Sequence, residues 1–429
     1  MPPKKKGDKE KAAPAAKKGA PIPTRDQRVA ALHDMVNKKY KGRAQLKLAS
    51  EYVLPFMTKR MPTGLLLLDV ALGGGFPCGG VSQIVGAKNA GKTYLIWQVI
   101  RQQQFMKGNK LKVLLAMTEM RADRTQAKRG GVAISLGDAD IHELERARIS
   151  QGLPKFSKEE LVELKREIGA IDEVHGESAE VLFDIILKAV EENAYHIIII
   201  DSFGSIMSAA EAENESLEDK TFAGASKPIT EFLRKLSSML TMDDAYGVVR
   251  DVCIIGINQI RDAIGQPNLE YRSTGGRALE HAKLVDLFLS SGAAIKYEDS
   301  VYTVNGMKKR TIVTGKEVHW RIVKGKAGIH EGASGSFNFD FASATGDFYS
   351  DTLAAGVRYE VIEHSGSWLG VPNPNEPGKY LLRENSREAF IDALAKDAAQ
   401  CAAEGSVDSV MNYIRAEVFK KNNIHINFE

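Results

Sequence analysis

The sequence predicts an α/β fold, a mostly parallel sheet with helices on both faces, followed by a small α+β unit. Three observations predict it. Short apolar runs that read as buried strands, at residues 81–85, 111–117, 196–202 and 252–257, alternate with helical stretches. The first run leads into Gly86-Ala87-Lys88-Asn89-Ala90-Gly91-Lys92-Thr93, which fits G-x-x-x-x-G-K-[ST], and a helix over 94–100 follows. The second and third runs end in acids, Glu119 and Asp201. Strand, glycine loop and helix in that order give the phosphate-loop pattern its structural context, because the helix N-terminus adds a second anion site.

The 429 residues suggest two or three domains, and the 43% hydrophobic content allows a sizeable core. Seven lysines against Asp8 and Glu10 give the first twenty residues +5, which leaves −2 for the rest of a chain whose net charge is +3. A nucleic-acid site in the folded part must therefore be a local patch. Cys78, Cys253 and Cys401 have no metal or disulfide spacing and fit a reducing compartment. No apolar run reaches the ~20 residues of a membrane span, so no membrane association is expected. The N-terminus carries charge without the apolar region of a secretory signal.

Residues 1–23 are rich in Lys, Pro, Ala and Gly and cannot bury enough surface to order themselves. They read equally as a basic arm touching phosphates and as a solubilising tail. Thr24-Arg25-Asp26-Gln27 is a capping box opening a short amphipathic helix with Val29, Leu32 and Val36 on one side. That helix must cover its apolar face against its own core or a neighbouring subunit. A second apolar helix over 61–72 ends in glycines and turns into the phosphate-loop strand.

In the loop, glycines let backbone N–H groups close around a polyphosphate. Lys92 would reach the terminal phosphates and Thr93 would ligate Mg²⁺. Glu119, at the end of its strand, sits where ligands bind in an open α/β sheet and can serve as general base or simply as a turn acid. Asp201 would hold the Mg²⁺ shell through a water. Between them, residues 138–180 are highly charged, carry a capping box at Ser157–Glu160, and read as an inserted helical element. Residues 209–224 read as an acidic mobile loop and 228–240 as a helix.

The strand at 252–257 ends at Asn258-Gln259. Residues 260–277 then run with arginines, glycines and a proline but little periodicity. Arg261, Arg272 and Arg277 can pair with phosphates, and Gly275-Gly276 can let a backbone approach closely; a solvated surface loop is the plain alternative. Strands are expected at 284–289, 302–304 and 318–323, with Asn305-Gly306 as a hairpin turn. Lys324 and Lys326 follow, on the plain reading a solvated strand end. From about Gly356 a small α+β unit begins, with helices near 386–403 and 406–420.

Taken together these segments resemble the bacterial and phage RecA recombinases, from about residue 24 to about 370. The phosphate loop, Thr118–Asp123, Ile200-Asp201-Ser202, Asn258-Gln259-Ile260-Arg261, the run from Ser273 to Leu279, Val323-Lys324-Gly325-Lys326 and the Gly356–Trp368 stretch stand in family order. The Asn-Gln-Ile-Arg and Thr-Gly-Gly-x-Ala-Leu pairing is the most specific part. The resemblance implies that Glu119 activates water, that Gln259 senses the γ-phosphate, and that 260–277 and 209–224 are the second and first DNA-binding loops. It implies further that Lys324 and Lys326 reach a neighbour's ATP, that Asp123 lies near the adenine, and that Phe341 takes a stacking position. The helix at 24–37 would dock on the next protomer. Three features depart from the pattern: the long 138–180 segment, a first loop rich in Glu, and a basic N-terminal arm in place of an acidic C-terminal tail.

The expected organisation is an arm at 1–23, a polymerisation helix and linker at 24–60, an ATPase core of RecA type at 61–345 and a C-terminal domain at 346–429. The resemblance implies a DNA-dependent ATPase that uses ATP and Mg²⁺, forms a helical homo-filament on single-stranded DNA and exchanges strands with homologous duplex. Single-strand-binding or mediator proteins are candidate partners, in the cytoplasm of a bacterial cell or phage-infected host. Two rivals remain: a hexameric ring motor on the same core, and a non-catalytic paralogue that assists a recombinase.

Overall fold

A computed structural model describes residues 24–40, 46, 54–107, 111–118, 124–134, 170–206, 208, 226–244, 246–261, 272–273, 276–303, 306–404 and 408–425, with short pieces between 141 and 161. Contacts divide the chain into Met1–Tyr52 and Val53–Glu429. In the first unit α1 (Arg25–Lys39) opens with the expected capping box: Gln27 N donates to Thr24 Oγ1 at 3.3 Å and Thr24 N to Gln27 Oε1 at 3.0 Å. None of its residues is buried, and Val29, Leu32 and Met35 are each about half exposed.

The second unit is built on one ten-stranded sheet. Its main members are β1 (Gly80–Gly86), β2 (Lys112–Met117), β3 (Ala170–Val174), β4 (Ile197–Asp201), β5 (Cys253–Arg261), β6 (Lys283–Thr303), β7 (Gly306–Gly325) and β8 (Ser334–Asp340). Across the sheet β6, β1, β5, β4, β2 and β3 run parallel. On the other side of β6, strands β7 and β8 and the Thr345–Gly346 pair continue antiparallel. The mostly parallel α/β fold expected from the sequence is thus present.

The unbroken apolar runs follow from burial on both faces. In β4, Ile197 and Ile199 face one core while Ile198 and Ile200 face the other; in β2, Val113 and Leu115 divide from Leu114 and Ala116 in the same way. The first face is covered by α2 (Lys92–Lys107). The second is covered by α3 (Ala179–Glu191) and α4 (Ser226–Leu240), where Phe183 stacks on Phe232 with centroids 4.3 Å apart.

Four sequence expectations need correction. The 138–180 stretch is not purely helical: β3 within it adds a parallel edge strand beside β2, with Ile171 against the core and acidic residues tolerated at an edge. Its Ser157 capping box is present, with Glu160 N donating to Ser157 Oγ at 3.1 Å. The separate strands expected between 284 and 323 are one long hairpin, β6 with β7. Thr303 pairs with Gly306, so Gly306 begins the returning strand and is not the centre of a turn, while Asn305 lies outside the described residues. Strand β5 runs on through Gln259 to Arg261, beyond the expected end at Ile257, because Arg272–Ser273 returns to pair with Ile260–Arg261. Finally, Gly276 and Arg277 open a helix, α5 (Gly276–Ala282), and do not extend the loop. The acidic 209–224 stretch lies outside the described residues, as does the arm at 1–23.

At the C-terminus, α6 (Phe348–Arg358) precedes a three-stranded sheet of β9 (Glu363–Ser365), β10 (Trp368–Pro372) and β11 (Tyr380–Glu384). Helices α7 (Arg387–Ala403) and α8 (Val410–Lys421) close the chain. These elements share a hydrophobic cluster with Leu66 and Val70 of the short Leu66–Ala71 helix. A buried charge cluster reinforces the joint. Asp351 accepts from the N–H groups of Leu66 and Leu67, Asp69 accepts from Thr63 and Gly64, and Arg415 donates to Gly64 O at 2.8 Å and to Asp69 Oδ2 at 3.3 Å.

Burial outweighs Arg415 and the N–H donors here, raising Asp69 to about 6 and Asp351 to about 7, the latter pushed further by Asp69. Raised carboxyl pKa values mean that the folded chain binds more protons than the unfolded chain between about pH 4 and 7. The cluster's contribution is therefore full at the acid end and is lost as pH rises through that window. Replacing Asp351 with Asn should flatten this slope: relative to the parent chain, the melting temperature of the variant should improve steadily from pH 5 to pH 8. A difference independent of pH would exclude the assigned protonation.

Candidate functional site

The phosphate loop begins where β1 ends. Pairing places Gly86 beside Gln259 of β5 on one side and Leu289 of β6 on the other. Gly86 is required by space: a Cβ would meet the Leu289 carbonyl oxygen at 2.4 Å. Gly91 is required by conformation, with φ of +97° just before the helix. Lys92 opens α2, is 8% exposed, and donates to the Gly86 and Ala87 carbonyls at 2.9 and 2.8 Å. The curled loop Gly86-Ala87-Lys88-Asn89-Ala90-Gly91 thus wraps its own ammonium.

Beyond the loop lies a cleft of about 570 Å³, lined by Lys92 and Thr93 at its helix end and by Tyr94, Phe339 and Phe341 elsewhere. The Tyr94 and Phe339 rings are 3.7 Å apart, and Phe341 meets Phe339 edge-on at 5.5 Å. Burial pushes the Tyr94 hydroxyl well above its ordinary pKa, so it stays neutral. Size, cations at one end and aromatic surface elsewhere suit a purine nucleotide. The residues present also fit Mg²⁺ brought in with it: Thr93, which carries a hydroxyl, lines the cleft, and Asp201 ends the second strand over from β1.

The neighbouring strand ends are fastened together. Thr118, just after β2, donates through its hydroxyl to the carbonyls of Asp201 and Ser202, at 3.0 Å each, and accepts from Ser202 N at 2.8 Å. Met117 pairs with Asp201, and Asp201 with Ile257 two residues before Gln259. Gln259, Asp201 and Thr118 therefore stand along one edge of the sheet, beside the loop. Gln259 is exposed there, its N–H held by Asn258 Oδ1 at 3.1 Å. Glu119 and Asp123 lie outside the described residues.

Lys324 and Lys326 are not at this edge. Lys324 pairs with Asp286, level with Gln83, whereas Gly86 is level with Leu289 and Trp320. Lys324 lies four residue steps along the strand from Trp320, about 13 Å at ~3.3 Å per residue. Both lysines turn onto the C-terminal end of α5: Lys324 donates to Glu280 O, and Lys326 to His281 O at 3.0 Å. That is where a helix dipole favours cations. The plain reading of a freely solvated strand end is thereby replaced. Next to them Lys283 is fully buried and ion-paired with Glu280 and Asp286. Burial, then the neighbouring Lys326 and Lys283, lower the Lys324 pKa, with Glu280 and Asp286 opposing.

Of the arginines expected to meet phosphates, Arg277 is exposed on the first turn of α5. Arg261 and Arg272 pair with one another at the base of the intervening segment, and Gly275 lies outside the described residues, next to Gly276. Motif reading missed Thr118 as the fastener between strand ends. It also missed Tyr94 and Phe339 as the wall of the cleft; Tyr94, directly after the loop, carries a usable signal, whereas Phe339 comes from a distant strand.

This geometry defines a phosphate-loop protein with a core of RecA type. No family model matches the chain. Two proteins named RecA, from Francisella philomiragia subsp. philomiragia and Francisella tularensis subsp. novicida, are each 28% identical over 339 residues, covering 76% of this chain and 77% of the relative. The chain is thus similar to RecA proteins over about three quarters of its length, in step with the resemblance its motifs carry. Among the described residues no helix is long and apolar enough to cross a membrane.

Replacing Gly86 with Ala should force β1 away from Leu289, at a cost of about 1–3 kcal/mol of stability, and should weaken nucleotide binding. Denaturant unfolding and a fluorescent nucleotide titration check both.

Proposed function

We propose that this chain is an ATP-dependent recombinase that assembles on single-stranded DNA and catalyses homologous pairing and strand exchange. The observation that carries the reading is the meeting of the phosphate loop, Asp201 and Gln259 on one sheet edge, in a chain homologous to RecA proteins over three quarters of its length. Lys92 and Thr93 bind the phosphates and metal of ATP, Asp201 supports the metal through water, and Phe341 stacks on the base. Bound Mg²⁺ supplies charge neutralisation at the β- and γ-phosphates.

Glu119 acts as general base and Asp123 lies by the adenine. Gln259, at the end of β5, reads the γ-phosphate and passes its state to the segment between Arg261 and Arg272. Arg261, Arg272 and Arg277, with Gly275 and Gly276, bind the DNA backbone. The lysine pair is remote from its own phosphate loop, and this supports a role in trans: Lys324 and Lys326 of one protomer meet the ATP of the next. The exposed apolar side of α1 supports self-assembly through that helix.

ATP hydrolysis measured with and without single-stranded DNA tests this reading. Turnover should rise at least tenfold on DNA, fall with salt, and vanish in both Lys92→Ala and Lys324→Ala chains that remain folded. Undiminished, DNA-independent turnover in the Lys324→Ala chain would overturn it.

A further inference from the structure

Lys316 lies outside the phosphate-loop motif, on the long hairpin that flanks it. Two irregularities bracket it. Val313 pairs with Lys296 and Gly315 with Ile295, leaving Thr314 extra on β7; Lys316 pairs with Ala294 and Val318 with Ser291, leaving one extra residue on β6. Bulges of this kind bend a strand and re-aim side chains beside functional sites. Here they bring the Lys316 ammonium to the Asn89 carbonyl, at the apex of the loop, and within 3.3 Å of Ser291 Oγ. The Ser291 hydroxyl donates to the same carbonyl at 3.3 Å.

Two donors from neighbouring hairpin strands thus converge on one oxygen and fix the peptide plane that follows Asn89. Asn89 itself is held at φ of +62°, a left-handed conformation that Asn tolerates better than most residues. Lys316 also lines the cleft that Lys92 and Thr93 open into. Burial lowers its pKa from the ordinary lysine value, a cost that an anion in the cleft would offset.

We infer that Lys316 is a nucleotide-positioning residue: with Ser291 it latches the apex of the phosphate loop to the hairpin, and it adds a positive charge beside Lys92 for the polyphosphate of a nucleoside triphosphate. This rests on the reading of the cleft as the ATP site. The latch acts on the loop's shape before any chemistry, so its removal should be felt in binding and not in the turnover of bound nucleotide.

The test uses the full chain and four variants, Lys316→Met, Lys316→Arg, Ser291→Ala and Lys92→Ala. A fluorescent ATP analogue with Mg²⁺ reads binding, steady-state hydrolysis on single-stranded DNA reads kcat and KM, and thermal melting checks the fold. Lys316→Met should raise Kd and KM about tenfold, the loss expected for a charge-assisted hydrogen bond, with kcat changed less than about threefold and melting unchanged. Lys316→Arg should restore most of the affinity, and Ser291→Ala should show a smaller rise in Kd. Unchanged Kd in Lys316→Met beside abolished binding in Lys92→Ala would overturn the latch and leave the ATP site standing. Equal weakening in Lys316→Met and Lys316→Arg, together with a lowered melting temperature, would also overturn it by showing a packing role. Unchanged binding in both Lys316→Met and Lys92→Ala would remove the ATP site itself.

Discussion

Parallel pairing of β1 on both sides is the constraint on which the site depends. Seven consecutive residue pairs tie it to β5, from Gly80 with Cys253 to Gly86 with Gln259, and β6 holds its other edge. Because the side-chain period of a strand is two, a slip of one residue would turn every apolar side chain to the wrong face and misplace Gln259 against the loop. The alternating isoleucines of β4 make that slip expensive, since each face meets its own hydrophobic cluster. The stability of the core and the placement of Gln259 beside the loop are therefore one requirement.

The hairpin gives the site its second wall. Val318 of β7 comes near Gly91 of the loop, and Gly315 lets β7 approach the β8 strand that carries Phe339. One antiparallel extension thus supports the loop, carries Lys316 to its apex, and sends Lys324 and Lys326 towards α5. Those two lysines touch the helix that opens where the Arg261–Arg272 segment ends. A cation that leaves α5 for a neighbour's nucleotide would loosen the same helix that anchors the segment proposed to hold DNA. On the proposed function, this would couple assembly to DNA binding.

What could be read from the sequence, and what could not, divides along physical lines. The phosphate loop, the strand ending in Asp201 and the helices over 179–191 and 226–240 were legible because local spacing and burial agree there. Strand β3 was hidden by charges that an edge position tolerates. The length of the hairpin was hidden because mixed polar residues carry no strong periodicity when both faces meet water. Lys316 was invisible for another reason: its role comes from bulges, which depend on the pairing of residues about twenty apart. The capping of α5 by Lys324 and Lys326 was equally beyond local reading, as the partners lie more than forty residues away.

Completion of each ATP site by two protomers is the central claim, and a mixing experiment addresses it directly. Chains carrying Lys92→Ala and chains carrying Lys324→Ala are each inactive on this account. In a head-to-tail assembly of an equal mixture, about one interface in four pairs an intact loop with an intact lysine. DNA-stimulated hydrolysis should then recover to about a quarter of the parent rate. No recovery above the separate variants, in filaments shown to contain both, would contradict a site shared between neighbours.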